Sequence, residues 1–175
     1  MTIYLVRHAD SGSRAKWNDA DSLRPLTKEG RRQAADLVES LGAVGLTRIY
    51  SSPFRRCVQT VAPLAAALNI SVIDDARLGE GPHQRALALV RQLAREKVDA
   101  VLSSHGDIIP AVLSDLVLHD ELDLGVDPRC QKASVWLLES DRTRFITATY
   151  FPPPPQSRRS VRSESTGSTR VQPDS

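Results

Sequence analysis

Long hydrophobic runs are missing from this sequence, and no stretch approaches the roughly 18 apolar residues of a membrane-spanning helix. The start, MTIYLVRHAD, holds only a short apolar stretch that runs into Arg7-His8. It lacks the longer apolar region and small-residue cleavage site of a secretory signal, so a cytoplasmic protein is expected. Cysteine is scarce. Cys57 and Cys130 lie far apart, and neither has a Cys partner at metal-ligand spacing. They read as a semi-buried thiol and a loop thiol rather than a disulfide. Clusters of carboxylates and histidines at metal-ligand spacing are also missing, so neither a metal nor another cofactor is expected. There is no internal repeat. Nor is there a charge excess of one sign on the body of the chain. The net charge is +2, and residues 152–175 alone carry four Arg against Glu164 and Asp174. A neutral body argues against a nucleic-acid partner, which would select a basic stripe on the folded part. It leaves room for a local basic pocket.

What is present suits one domain. The 175 residues are long enough for a substantial core, and 41% hydrophobic with 25% charged residues is ordinary globular usage. The domain is expected over residues 1–151. From Pro152 onward the chain turns to Pro, Ser, Arg, Gln and Thr. That composition buries too little surface to offset chain entropy, so 152–175 is expected to be a disordered tail.

Within 1–151, strand-like runs alternate with helical periods. Thr2–Val6 reads as a buried strand. From Thr27 to about Leu41 the period is helical, with Thr27 as N-cap and Gly42 as the stop. Leu46–Tyr50 reads as a second strand, and Ser52-Pro53 as a helix start in which Ser caps and Pro takes the first helical position. Pro63 is expected to kink or split that helix. Ile70–Ile73 is a short strand, Ala86–Ala94 a helix, Val98–Ser103 a strand, and a helix follows Gly106. Ser134–Glu139 and Arg144–Tyr150 flank a turn at Ser140-Asp141 and read as a closing hairpin. The alternation predicts an α/β fold, three layers α/β/α, with a mainly parallel central sheet.

Three of these strands run into cationic or hydroxyl residues: Arg7-His8, Ser51-Ser52-Pro53-Phe54-Arg55-Arg56, and Ser103-Ser104-His105-Gly106. In a parallel sheet the C-terminal strand ends share one edge, where open α/β folds bind ligands. Arginines and histidines gathered there make a compact cationic pocket, and the helix N-termini beyond Ser52 and Gly106 add backbone N–H donors. Such a pocket suits a phosphoryl group. Arg55 and Arg56 are adjacent on a helix and point apart, so at most one faces the pocket.

Four segments carry a family resemblance in the expected order. LVRHAD resembles the Arg-His-Gly signature of the histidine phosphatase superfamily, the phosphoglycerate mutase-like group, with Ala9 in place of Gly. RPLTKEGRRQA resembles its Leu-Thr-x-x-Gly-x-x-Gln-Ala element. SSPFRRCVQT is similar to its Ser-x-x-x-Arg-Ala-x-Gln-Thr element, and SSHGD to its second-histidine motif. The resemblance covers about residues 3–110 and implies the same α/β fold. It implies that His8 is a nucleophile forming a phosphohistidine. Arg7, Arg56 and His105 would bind and polarise the phosphoryl oxygens, and Glu80 in RLGEGPH would be the general acid, its pKa raised by a dianionic substrate. His83 competes for that role. Guanidinium groups match phosphoryl oxygens bidentately, and a neutral imidazole is available near pH 7.

The short body predicts an open cleft without an enclosing lid, as in the small phosphohistidine-protein phosphatases. The expected substrate is therefore a small phosphorylated molecule or a phosphohistidine protein. The run RHADSGSRAKWNDADSLRPLTKEG also resembles the phosphatase domain that follows Nudix domains in some actinobacterial nucleotide hydrolases. There Arg14 and Lys16 would meet a second phosphate, and Trp17 would stack on a base or anchor its loop. An inactive phosphate-binding protein and a phosphotransfer carrier are the alternatives. The former predicts binding without turnover and the latter a long-lived phosphoenzyme. The sequence leaves the oligomeric state open.

Overall fold

The computed structural model describes residues 1–42, 45–125, 128–141 and 143–153. In chain order the elements are β1 (Thr2–Arg7), α1 (Lys28–Leu41), β2 (Arg48–Ser51), α2 (Arg55–Leu68), β3 (Val72–Asp74), α3 (Gln84–Glu96), β4 (Ala100–Ser104), α4 (Ile108–Asp120), β5 (Val135–Ser140) and β6 (Phe145–Phe151). Single 3-10 turns occupy Arg14–Lys16, Asp21–Leu23 and Ala76–Leu78. The strands form one sheet in the order β3-β2-β4-β1-β5-β6. Strands β3, β2, β4 and β1 are parallel, β5 runs antiparallel to β1, and β6 antiparallel to β5.

The period of two along β1 creates the layers. Ile3 and Leu5 join Leu89, Val90 and Leu93 of α3 and Ile109, Val112 and Leu116 of α4 in one core. Tyr4 and Val6 point the other way, into a second core with Leu37 and Leu41 of α1 and Val61 and Leu64 of α2. The expected α/β/α sandwich is what forms.

Thr27 caps α1 as its sequence predicts, its hydroxyl accepting from Gly30 N at 3.0 Å. Ser52 does not cap α2. Phe54 holds that position, and the Ser52 hydroxyl is used by His105 instead, 2.8 Å from Nε2. Pro63 does not split α2 into two elements. The helix runs unbroken to Leu68, because Val61, Leu64 and Ala65 on either side of the proline are buried on the sheet and hold the backbone helical. The Cys57 thiol is fully buried rather than semi-buried, Cys130 is half-buried, and both are free. Burial pushes Cys57 up to about 12 and Cys130 up to about 11, so both stay protonated. The hairpin turn is built on Asp141, whose carboxylate accepts from the backbone N of Thr143 and Arg144 at 2.9 and 3.0 Å. The expected tail lies outside the described residues from 154 onward.

Register places the site. Arg7 pairs with Ser104 and Ser51 with Ser103, so β1, β4 and β2 end side by side. The ladder continues one residue further, with His8 N donating to Ser104 O at 3.0 Å and Ser52 N to Ser103 O at 2.9 Å. Helix α1 then presses on the segment after His8. A Cβ on Gly30 would lie 2.0 Å from the carbonyl oxygen of Asp10, a backbone atom that has no room to retreat. We therefore expect Gly30→Ala to cost about 3 kcal/mol by urea denaturation. An unchanged stability would mean that α1 does not sit this close.

Candidate active site

Four short polar segments converge at the shared strand ends. From β1 come Arg7 and His8, from the start of α2 Arg56, from β4 His105, and from the 76–80 turn Glu80. His8, Arg56 and His105 are 7%, 1% and 2% exposed. The two imidazoles stand edge to face with centroids 5.6 Å apart.

His8 is held in one tautomer. Its Nδ1 lies 2.8 Å from the carbonyl oxygen of Ala9, which only accepts, so Nδ1 carries the hydrogen and Nε2 the lone pair. Burial, opposed by that hydrogen bond and helped by the Arg56 and Arg7 charges, drives its pKa from 6.5 to about 3. His105 falls to about 3 as well, through burial first and then Arg56. Its Nδ1 lies 3.3 Å from Arg56 Nη2, a donor, while Nε2 faces the Ser52 hydroxyl. A hydroxyl donates or accepts, so Ser52 supports either tautomer of His105.

The cations are fixed by different means. The Arg7 guanidinium lies flat against Gly106, where a Cβ would come within 2.5 Å of Cζ, and its Nη1 donates to the Cys130 carbonyl. Arg56 Nη1 donates to the Asp21 carbonyl at 2.8 Å and sits 3.0 Å from Asp21 Oδ2, and its Nη2 donates to Glu80 Oε1 at 2.8 Å. Arg7 Nε and Arg56 Nε are buried donors with no hydrogen-bond partner among the described residues. Glu80 is placed by the turn before it: Ser104 Oγ donates to Leu78 O at 2.8 Å, and Asp75 caps the turn at Arg77 N. From there Glu80 Oε1 lies 3.9 Å from His105 Nδ1.

The structure brings together Arg7, His8, Arg56, Glu80 and His105, and separates the rest. Arg55 points to solvent. His83 is engaged elsewhere, its Nε2 2.8 Å from Asp115 Oδ2. Arg14 is at the mouth, 3.6 Å from both Glu80 Oε2 and Asp21 Oδ1, and 68% exposed. Lys16 is exposed on the same turn. The Trp17 indole N–H donates to Ala20 O at 3.0 Å and so ties its own loop. Asp21, Glu80 and Arg14 form a roof of side chains over Arg56.

Several contributors were invisible as site residues in the sequence. Asp21 is the hub of the roof: burial works against its charge, but Arg24, Arg56 and Arg14 hold its carboxyl below the usual range. Arg24 is itself buried, donating to Asp21 Oδ1 at 2.8 Å and to Ser11 Oγ at 2.6 Å. Others sit inside the motifs quoted above. Gln33 Oε1 accepts from Asp10 N, Gln59 Oε1 from Leu26 N and Thr60 Oγ1 from Ala9 N, each at 2.9 Å. Gln33 and Thr60 thus clamp the backbone beside His8, and Gln59 holds the Leu26 segment. Ala9 is fully buried, its N–H taken by Thr60.

A model of the histidine phosphatase superfamily (branch 1) matches residues 3–83. The 8-oxo-(d)GTP phosphatase of Mycolicibacterium smegmatis is 30% identical over 157 residues, which cover 87% of this chain and 48% of that protein. Over residues 3–83 the chain is similar to the histidine phosphatase superfamily. Phosphoserine phosphatase 1 of Hydrogenobacter thermophilus is 35% identical over 88 residues, 47% of this chain and 40% of that protein. The chain thus spans about half the length, or less, of these curated relatives. Among solved structures, the protein histidine phosphatase SixA complexed with tungstate has the same fold, with a TM-score of 0.67 at 23% identity over 86% of this chain and 94% of that one. Among the described residues no group of three His, Cys, Asp or Glu is arranged to hold a metal ion, and no helix is long and apolar enough to cross a membrane.

Two buried neutral histidines make the fold acid-sensitive. With folded pKa values near 3 and unfolded values near 6.5, the unfolded chain takes up protons that the folded one refuses. Stability is therefore expected to fall as pH drops from about 6.5 towards 3, and less steeply in His8→Asn. Urea midpoints measured across that range check this; parallel slopes for both proteins would show that His8 is not buried neutral.

Proposed function

We propose that the chain is a metal-independent phosphatase that hydrolyses phosphomonoesters or protein phosphohistidine through a phosphoryl group carried on His8. One observation carries the reading: the Ala9 carbonyl fixes Nδ1–H, which leaves the lone pair on Nε2 of an imidazole that feels the Arg56 and Arg7 charges and stands against His105.

Nε2 attacks phosphorus in line with the departing oxygen, and the bond to the leaving group breaks as Glu80 gives that oxygen its proton. Arg7, Arg56 and His105 take the equatorial oxygens, with His105 donating from Nδ1 once Ser52 donates to Nε2. Guanidinium donors suit the spread charge of a loose phosphoryl transition state. Water then attacks the phosphohistidine and passes a proton to Glu80. The P–N bond breaks and its electron pair returns to Nε2. Binding exchanges the carboxylates on Arg56 for phosphoryl oxygens. The whole cycle is proton and phosphoryl transfer, and this donor set of arginines and imidazoles favours an oxyanion over a cation. The substrate is small or presented on a protein, and the setting cytoplasmic.

A second reading, a nucleotide or polyphosphate substrate, is favoured by Arg14 at the mouth, where its guanidinium faces Glu80 and Asp21.

Turnover of 4-nitrophenyl phosphate is expected to survive EDTA and to fall by about 10⁴-fold or more in His8→Ala. Substantial activity in that variant contradicts the mechanism. Glu80→Gln is expected to lose roughly 10²-fold or more on alkyl phosphates and much less on 4-nitrophenyl phosphate, whose leaving group needs no proton. Equal losses on both would remove Glu80 as the acid.

A further inference from the structure

Beside the candidate phosphoryl site lies an open cleft of about 690 Å³, walled by Leu23, Pro53, Phe54 and Val58 with Arg55, Ser22 and Gln59 as its polar members. Phe54 belongs to both spaces. Its ring meets His105 edge-on at 4.9 Å between centroids, and Arg56 Cζ lies 4.7 Å from its centroid. The opposite wall is tied to the site as well, because Leu23 ends the turn whose Asp21 holds Arg56. Leu23 is 49% exposed, an apolar side chain that the core does not use. Arg55 is exposed at the rim.

Resting on the phosphatase reading above, we infer that this cleft is the leaving-group site and that it selects a phosphoryl group borne directly on a flat aromatic ring. Phe54 touches His105 and Arg56 on one side and lines the cleft on the other, so a group bonded to the phosphoryl oxygen or nitrogen passes its ring to reach Leu23 and Val58. A ring there covers Leu23, Pro53 and Val58, packs against Phe54, and offers its face to the Arg55 guanidinium. A polyol in the same place sets most of its hydroxyls against Leu23, Pro53 and Val58, which return no hydrogen bond, and finds partners only at Ser22, Arg55 and Gln59, whose Oε1 already accepts from Leu26 N. Sugar and glycerol phosphates are therefore the disfavoured class. The ring arrives free, as in an aryl phosphate, or on a polypeptide, as in a phosphohistidine.

Calorimetric binding of phenylphosphonate and methylphosphonate separates the cleft from catalysis. The protein is expected to bind the phenyl compound about tenfold more tightly, and Leu23→Asn and Val58→Asn to abolish that advantage while still binding methylphosphonate. Equal affinity for the two phosphonates, or an advantage that survives in both variants, overturns the inference even if the enzyme is an active phosphatase. In parallel, kcat/KM for phenyl phosphate, a phosphohistidine peptide and glycerol phosphate is compared. Faster turnover of either ring-borne substrate supports the cleft and identifies the source of the ring. Glycerol phosphate as the fastest substrate contradicts it. Failure to turn over any of the three removes the phosphatase reading, a result distinct from a failed phosphonate test.

Discussion

The buried Arg56 guanidinium is the interaction on which the site depends. A cation 1% exposed pays a large desolvation cost unless anions and carbonyls surround it. Here Asp21 supplies a carboxylate and a carbonyl, and Glu80 supplies a second carboxylate. Those contacts draw the 21–24 turn and the 76–80 turn over the ends of β1 and β4. The same positive charge, added to burial, keeps His8 and His105 neutral. On the proposed mechanism this has a simple consequence. Arg56 is never without an anion, because a phosphoryl group replaces carboxylate oxygens rather than entering an unpaired cationic hole. The exchange trades one ion pair for another and avoids paying the desolvation cost of Arg56 a second time.

A second constraint operates one step away from the charges. The backbone beside His8 is held by side chains from two helices: Gln33 on Asp10, Thr60 on Ala9, and the close approach of Gly30 to the Asp10 carbonyl. Lys132 adds an ion pair to Asp10 Oδ1 at 2.6 Å. Preorganisation of this kind fixes the direction of the Ala9 carbonyl, and the Ala9 carbonyl fixes the tautomer of His8. Helix packing and nucleophile chemistry are joined through one hydrogen bond.

Much of this was legible in the sequence, and for physical reasons. The apolar run over Thr2–Val6 and the Thr27 cap are local signals that tertiary contacts did not override. The parallel topology followed from strand–helix alternation, and the convergence of Arg7, His8, Arg56 and His105 followed from the topology. What misled was also local. Ser52-Pro53 has the chemistry of a helix start, but its hydroxyl is recruited by His105 from a strand far along the chain. Pro63 has the chemistry of a break, but the buried residues around it outweigh the lost hydrogen bond. Asp21 and Arg24 sit in a polar run that reads as solvated loop, and only the folded chain shows them buried against each other. The roof over Arg56 was missed for the same reason. It is made of single residues from three turns, without an insertion that length would reveal.

The central claim is that His8 Nε2 takes up the phosphoryl group. Rapid acid-free quenching of the enzyme with a fast aryl phosphate, followed by peptide mass spectrometry, tests it directly. The account predicts an acid-labile, base-stable phosphoryl group on the peptide bearing His8, formed within the first turnover and absent in His8→Ala. Turnover with no phosphorylated His8 peptide, or with the phosphoryl group on another residue, would contradict it.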